Sequence, residues 1–156
     1  MNMENNSEVF NLLIDFESSI SEIYMEFSRI FPDDKEFWWR IAMEEKNHAS
    51  IIQSGRDTFN SMGLFPAELT SLSVEYLKQT LTEKKTLLSK VKEQPQNLTR
   101  KKAVAIAIKI EECDIENIFQ ELMKIHPELK SIRVFQTLNK ETCDHAVRLL
   151  RYLDSI

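Results

Sequence analysis

Met43-Glu44-Glu45-Lys46-Asn47-His48-Ala49 decides how this chain is read. Glu45 and His48 stand three residues apart, so a helix puts them on one face. On that face they join Phe37, Ile41 and Ile52, spaced by the threes and fours of an apolar helical stripe. A carboxylate and an imidazole therefore point where only apolar groups should go. Burying a lone carboxylate costs several kcal/mol unless it is paired or ligates a metal.

The same interruption recurs in three other stretches. Leu13, Glu17, Ile20, Tyr24, Phe27 and Phe31 share one face. Val104, Ala107, Glu111, Ile115, Ile118 and Leu122 share another, and Phe135, Leu138, Thr142, His145, Leu149 and Tyr152 a third. Any one polar residue beside an apolar stripe is commonplace, as a boundary acid or a hydrogen-bonded core histidine. Three Glu and two His in matching places on four helices need a cation.

Punctuation gives the layout. A first helix is expected from about Ser7 to Phe31, with Asn5 and Glu8 resembling a capping box that would start it slightly earlier. Pro32-Asp33-Asp34 ends it, and Asp33 with Glu36 offers the next cap. The second helix runs to about Met62, through Gly55, and stops at Gly63, where a left-handed residue belongs. Leu64 to Gln96 is a long crossover carrying an amphipathic stretch from about Ser73 to Glu93. A third main helix starts near Thr99 and ends before His126-Pro127; the fourth runs from Pro127 to about Tyr152. This order is that of a four-helix bundle with one long crossover.

The halves repeat. The segment from Leu13 through Glu17 to Tyr24 aligns with that from Ala107 through Glu111 to Ile118, offset by 94 residues. Glu44-Glu45-Lys46-Asn47-His48-Ala49 aligns with Glu141-Thr142-Cys143-Asp144-His145-Ala146, offset by 97. The repeat predicts a pseudo-twofold, each half giving one Glu helix and one His helix.

With these residues in place the chain resembles the ferritin-like superfamily, and most closely the di-iron domain of rubrerythrin-type proteins. The resemblance spans nearly all of residues 1–156, read as one domain. It rests on the Glu-Glu-x-x-His-Ala segment at Glu44 to Ala49, Glu17 ahead of Tyr24, Glu111 after Ala107, and His145-Ala146. It implies an all-α four-helix bundle whose metal ligands are Glu17, Glu45, His48, Glu111 and His145. In that reading Glu45 bridges, Glu17 and Glu111 bind terminally, and the histidines close opposite ends. It implies two iron ions and oxidase or peroxidase chemistry toward dioxygen or hydrogen peroxide. The ligand types themselves suit iron or manganese, and imidazole also suits zinc.

Thr142 departs from the pattern, standing where a second bridging Glu belongs. Glu17, Glu45 and Glu111 bring three negative charges against the four positive charges of two divalent ions. Asp114, Glu141 or hydroxide could fill the gap; otherwise the site holds one metal, binds two weakly, or is vestigial. Asp114 and Glu141 read first as surface acids, since acids are rarely buried. Tyr24 could donate a hydrogen bond or an electron to the site, or be an amphipathic core tyrosine. A degenerate bundle acting as a binding or structural protein, and an iron store, are the alternatives.

Composition sets the outer bounds. The 156 residues carry 20 Lys+Arg against 25 Asp+Glu, a net charge of −5, and only 2 Gly and 4 Pro. Few glycines exclude most all-β designs and phosphate-cradling glycine loops. There is no sequence-wide basic footprint for nucleic acid; Arg100-Lys101-Lys102 reads as a solvated first turn. No apolar run approaches a membrane span, and the N-terminal residues lack the pattern of a signal peptide. Cys113 and Cys143 make no disulfide framework and read as packing residues. A reduced cytoplasmic setting is expected. The two Cys-x-x-Cys pairs of a rubredoxin-like module are absent, so redox turnover would need an external electron donor. Trp38 and Trp39 cannot share a helix face, so at least one should meet another element or a second subunit. A homodimer is the expected assembly.

Overall fold

The structure, a computed structural model, describes residues 3–63, 73–113 and 144–156. Among the described residues it is helical, with no strand. Helix α1 spans Met3–Ile30, α2 Lys35–Met62, α3 Val74–Glu93 and α4 Arg100–Glu111; α5 covers 144–155. Pro32–Asp34 and Pro95–Asn97 form short 3-10 turns between helices.

Local chemistry explains most boundaries. Ser73 and Thr99 stand before α3 and α4, and their hydroxyls accept from the backbone N–H groups of Tyr76 and Lys102, satisfying donors that a helix start leaves unpaired. Gly63 ends α2 at φ 65°, a left-handed conformation that disfavours any Cβ. Nothing lies within 4 Å of a Cβ built there, so Gly63→Ala is expected to express backbone strain alone. That amounts to about 1–2 kcal/mol, readable as a lower urea midpoint with an unchanged slope. Buried Gly55 does not interrupt α2.

Three boundaries differ from expectation. Helix α1 starts at Met3, upstream of the Asn5 capping box. Asp34, not Asp33, occupies the cap position of α2, and its side chain makes no cap bond. Pro32 opens a 3-10 turn that advances the helix start by one residue. The buried Asp34 carboxylate instead accepts two hydrogen bonds from Arg100, Nε and Nη2 each at 2.6 Å. The third departure is at the end of α4. Regular helix closes at Glu111, short of His126, as Cys113 N–H turns back to Ile110 O at 3.1 Å. This is the 3-10 tightening common in a last turn. Ile115, Ile118, Leu122, Phe135 and Leu138 lie outside the described residues.

Paired residues give the helix directions. Ser21 Oγ donates to Ala42 O at 2.7 Å and Ser28 Oγ to Lys35 O at 3.2 Å, so α2 runs back along α1. Lys78 pairs with Glu8 and Lys92 with Glu22, so α3 runs parallel to α1. Arg100 meets Asp34 while Glu111 meets Tyr24, so α4 runs against α1 and with α2. Tyr152 stacks on Phe37 with ring centroids 4.2 Å apart, while His145 reaches Glu44; α5 therefore opposes α2. The segment containing α3 thus returns the chain to the end where α2 began.

The core follows the apolar stripes. Phe10, Leu13, Phe16, Ile20, Ile23 and Phe27 of α1 are buried, against Ile41, Ile52 and Phe59 of α2, Leu77 and Leu81 of α3, Val104 and Ala107 of α4, and Leu149 of α5. Trp38 is wholly buried, its ring against Tyr24, Phe27, Phe37 and Tyr152. Trp39 is 46% exposed, so the adjacent tryptophans part as expected. Cys113 is half-buried against the core; Cys143 lies outside the described residues. No helix among the described residues is long and apolar enough to cross a membrane.

Candidate metal centre

Glu17, Glu45, His48, Glu111 and His145 are all buried. They arrive from four helices: α1, α2 (twice), the last residue of α4 and α5. They form two groups, Glu17–Glu45–His48 and Glu45–Glu111–His145, in each of which the donor atoms lie within 4.8 Å of one another. Glu45 belongs to both. Its Oε2 is 3.0 Å from His48 Nδ1, and its Oε1 is 2.7 Å from His145 Nδ1. The imidazoles flank it, with ring centroids 5.5 Å apart and planes 23° from parallel.

Neighbouring contacts are longer. Glu17 Oε2 lies 3.7 Å from His48 Nδ1, and Glu111 Oε2 lies 3.6 Å from His145 Nδ1. Each histidine thus faces the shared carboxylate closely and its own terminal carboxylate at arm's length. The arrangement is near-symmetric about Glu45. Tyr24 breaks the symmetry, its hydroxyl donating to Glu111 Oε1 at 2.8 Å. Tyr24→Phe removes that donor from a buried carboxylate, and a loss of about 1–3 kcal/mol is expected, measurable by urea unfolding of the metal-free protein.

The charges are strained by burial. Burial pushes the Glu17 carboxyl up to about 8, beyond what His48 offsets, and Glu45 adds to the rise. Burial also raises Glu111, with Glu45 contributing. Glu45 goes the other way: burial alone would raise it, but the imidazoles of His145 and His48, close against its two oxygens, hold it well below the usual carboxylate range. Burial opposes charge on both imidazoles as well, yet their carboxylate neighbours win. His48 is pushed up to about 11 and His145 to about 12. Without metal, the cluster neutralises itself with protons.

That proton-filled arrangement leaves atoms unsatisfied. Both carboxylate oxygens of Glu17, Oε1 of Glu45 and Nδ1 of His145 are buried with no hydrogen bond. His145 Nδ1 and Glu45 Oε1 are close enough for one at 2.7 Å but are not aligned for it. Buried polar atoms rarely stay unpaired. Donor atoms that crowd together without bonding each other suit a cation shared between them. The mix of carboxylate oxygen and imidazole nitrogen suits iron, manganese or zinc, so these residues fit a metal.

Two further residues escaped the sequence reading. Glu44 accepts from the far nitrogen of His145, Nε2, and from Arg148, whose Nη1 donates to Oε1 at 3.0 Å and whose Nη2 donates to Oε2. Burial would raise Glu44, but His145 and Arg148 overcome it and hold the carboxyl at about 2. The available signal was the doubled acid Glu44-Glu45 and a basic residue one turn beyond His145. Asp114, Glu141 and Thr142 lie outside the described residues.

No family model, no curated protein and no solved structure matches the chain. Fold and site together define its class: a protein all-helical among the described residues, with buried Glu/His clusters able to hold a metal ion.

Proposed function

We propose that this chain is a metal-binding protein of the ferritin-like, rubrerythrin type, holding two divalent ions, iron foremost, between Glu17, Glu45, His48, Glu111 and His145. One observation carries the reading: Glu45 is common to both donor groups, with one oxygen toward each histidine. The helix directions support a four-helix bundle of α1, α2, α4 and α5, with α3 on the crossover. Held by these residues, ferrous iron would supply the electrons for reducing dioxygen or hydrogen peroxide.

The chain's own residues do the rest. Glu45 holds the two halves of the site at fixed separation. Glu17 and Glu111 sit farther from the imidazoles, leaving space between donors. The Tyr24 hydroxyl fixes the orientation of Glu111 and holds a proton at its Oε1. Buried apolar neighbours, Ile20, Ile41, Ile52 and Ala107 among them, limit water around the site. An external electron donor returns the reducing equivalents, and the assembly is a homodimer, for which the exposed Trp39 offers contact surface.

A second reading has one observation behind it. The His–carboxylate contacts can persist without metal, as the buried ion pairs of a structural bundle. Elemental analysis of protein loaded anaerobically with iron, manganese or zinc decides between them. About two ions per chain, lost on substitution of the ligands, supports the metal centre; none, in the wild type as in Glu45→Ala, leaves the structural bundle. A hollow shell instead of a dimer in light scattering would point to iron storage.

A further inference from the structure

We propose that Glu44, clamped by Arg148, is a positioning residue for His145: it accepts the Nε2 proton, so that Nδ1 is presented to the metal site with its lone pair free. The inference rests on the metal-centre reading and adds a residue pair to it.

The geometry begins with two consecutive carboxylates. Neighbouring helix residues point about 100° apart, so Glu45 and Glu44 leave α2 in different directions. Both nevertheless reach the same imidazole, Glu45 at Nδ1 and Glu44 at Nε2. A neutral imidazole carries one proton, and a metal on one nitrogen forces that proton onto the other. Glu44 is an acceptor already in place at Nε2. Held there, the ring cannot flip or rotate without breaking a charge-assisted bond.

Arg148 supplies the second constraint. Its two Nη groups grip both Glu44 oxygens, so the carboxylate itself cannot turn. Arg148 and His145 lie three residues apart in α5, on adjoining parts of one helix face. The result is a closed loop: α5 presents the imidazole, α2 presents the carboxylate that orients it, and α5 returns a guanidinium to lock that carboxylate. The pair borders a surface cleft of about 500 Å³ lined by Glu44, Asp144, Val147, Arg148 and Arg151. The Glu44 side chain is 35% exposed, so its truncation removes little buried surface. The Glu44 hydrogen bonds run to His145 and Arg148, so the device acts on the half of the site that His145 serves.

The test is zinc titration of the full chain against a competing chelator, for the wild type, Glu44→Ala, Glu44→Gln and Arg148→Ala. It is paired with long-range 1H–15N spectra of the histidines in the zinc-loaded proteins. Loss of a carboxylate that orients a metal-bound histidine weakens binding about 10–100-fold. Glu44→Ala is therefore expected to weaken one of two zinc steps by that factor and to broaden or shift the His145 Nε2–H signal, leaving His48 unchanged. Arg148→Ala should show a smaller loss at the same step. Glu44→Gln keeps a carbonyl acceptor and should recover most of the affinity. Equal zinc affinity and unchanged His145 signals in Glu44→Ala would overturn the proposal alone, as would equal weakening of both steps, which marks a merely structural role. Absence of zinc binding by the wild type would overturn the metal-centre reading and this proposal with it. Should Glu44→Ala lose helical circular dichroism, Arg148→Ala decides: unchanged zinc affinity and unchanged His145 signals in that variant would refute the role.

Discussion

Replacing Glu45 by alanine is expected to strip both metal ions from the protein at once. The other carboxylates act singly: Glu17 serves the group with His48, and Glu111 the group with His145. Glu45 serves both, because its two oxygens face the two imidazoles. The expected pattern after loading and dialysis is about two ions per chain for the wild type, about one for Glu17→Ala or Glu111→Ala, and none for Glu45→Ala. Elemental analysis reads it directly. Equal loss in all three single variants would mean that the ions bind only as a pair; full retention in Glu45→Ala would remove the shared carboxylate from the site.

The same substitution should weaken the metal-free fold. Glu45 is the carboxylate that both buried histidines share, and breaking a buried pair by removing one partner costs about 3–5 kcal/mol. Glu45→Gln preserves the volume and isolates the charge. A metal-free Glu45→Ala protein as stable as the wild type would show that His48 and His145 shed their protons without penalty. Stability and metal content therefore probe different halves of one claim, and each can fail without the other.

Much of this candidate site was legible because polar side chains set into apolar helix faces announce themselves by spacing. Glu17, Glu45, His48, Glu111 and His145 each break an apolar stripe at intervals of three or four, and burial of all five follows from that register. Glu44 gave no such signal. It lies off the apolar face of α2, and its value comes from His145 and Arg148, about a hundred positions away. Asp34 was misjudged for the same reason. Local rules placed a cap at Asp33, but Pro32 shifted the frame and Arg100, 66 residues on, claimed the carboxylate of Asp34. Caps at Ser73 and Thr99 were readable because donor and acceptor lie within one turn. The end of α4 was not, since the period of Ile115, Ile118 and Leu122 argued for continuation while the chain turns at Glu112 and Cys113. Periodicity reports which face is buried; it says little about where a helix stops or which distant charge a surface acid will meet.

Metal loading at pH 7 is expected to release about three protons per chain, since each ligand must shed its proton to bind. The sign follows from the shifts. Unfolded histidines titrate near 6.5, whereas burial among carboxylates that outweigh desolvation pushes folded His48 up to about 11 and His145 up to about 12. Unfolded Glu17 titrates near 4.5 and burial pushes its folded form up to about 8. At pH 7 the metal-free fold therefore holds three protons that the ligand form lacks. Across pH 4.5–8 for Glu17, and 6.5 to about 11 or 12 for the histidines, the native state binds more protons than the unfolded chain. Stability of the metal-free protein must fall as pH rises through those ranges. Glu44 runs opposite: burial opposes its ionisation, but His145 and Arg148 hold it at about 2, so its contribution is present above 4.5 and is lost as pH falls toward 2. The metal-free protein should then be most stable near pH 4.5, above the range in which Glu44 is neutralised and below that in which Glu17 loses its proton, while metal affinity should climb by as much as a thousandfold per pH unit where all three protons must leave. Calorimetry of zinc binding in buffers of different ionisation enthalpy counts the released protons, and thermal unfolding from pH 4 to 9 locates the maximum. Zinc binding with no proton release would mean that Glu17, His48 and His145 stand deprotonated in the metal-free fold, against the burial of Glu17 and the carboxylates around the two histidines; a metal-free melting temperature that rises from pH 6.5 to 8 would say the same by an independent route.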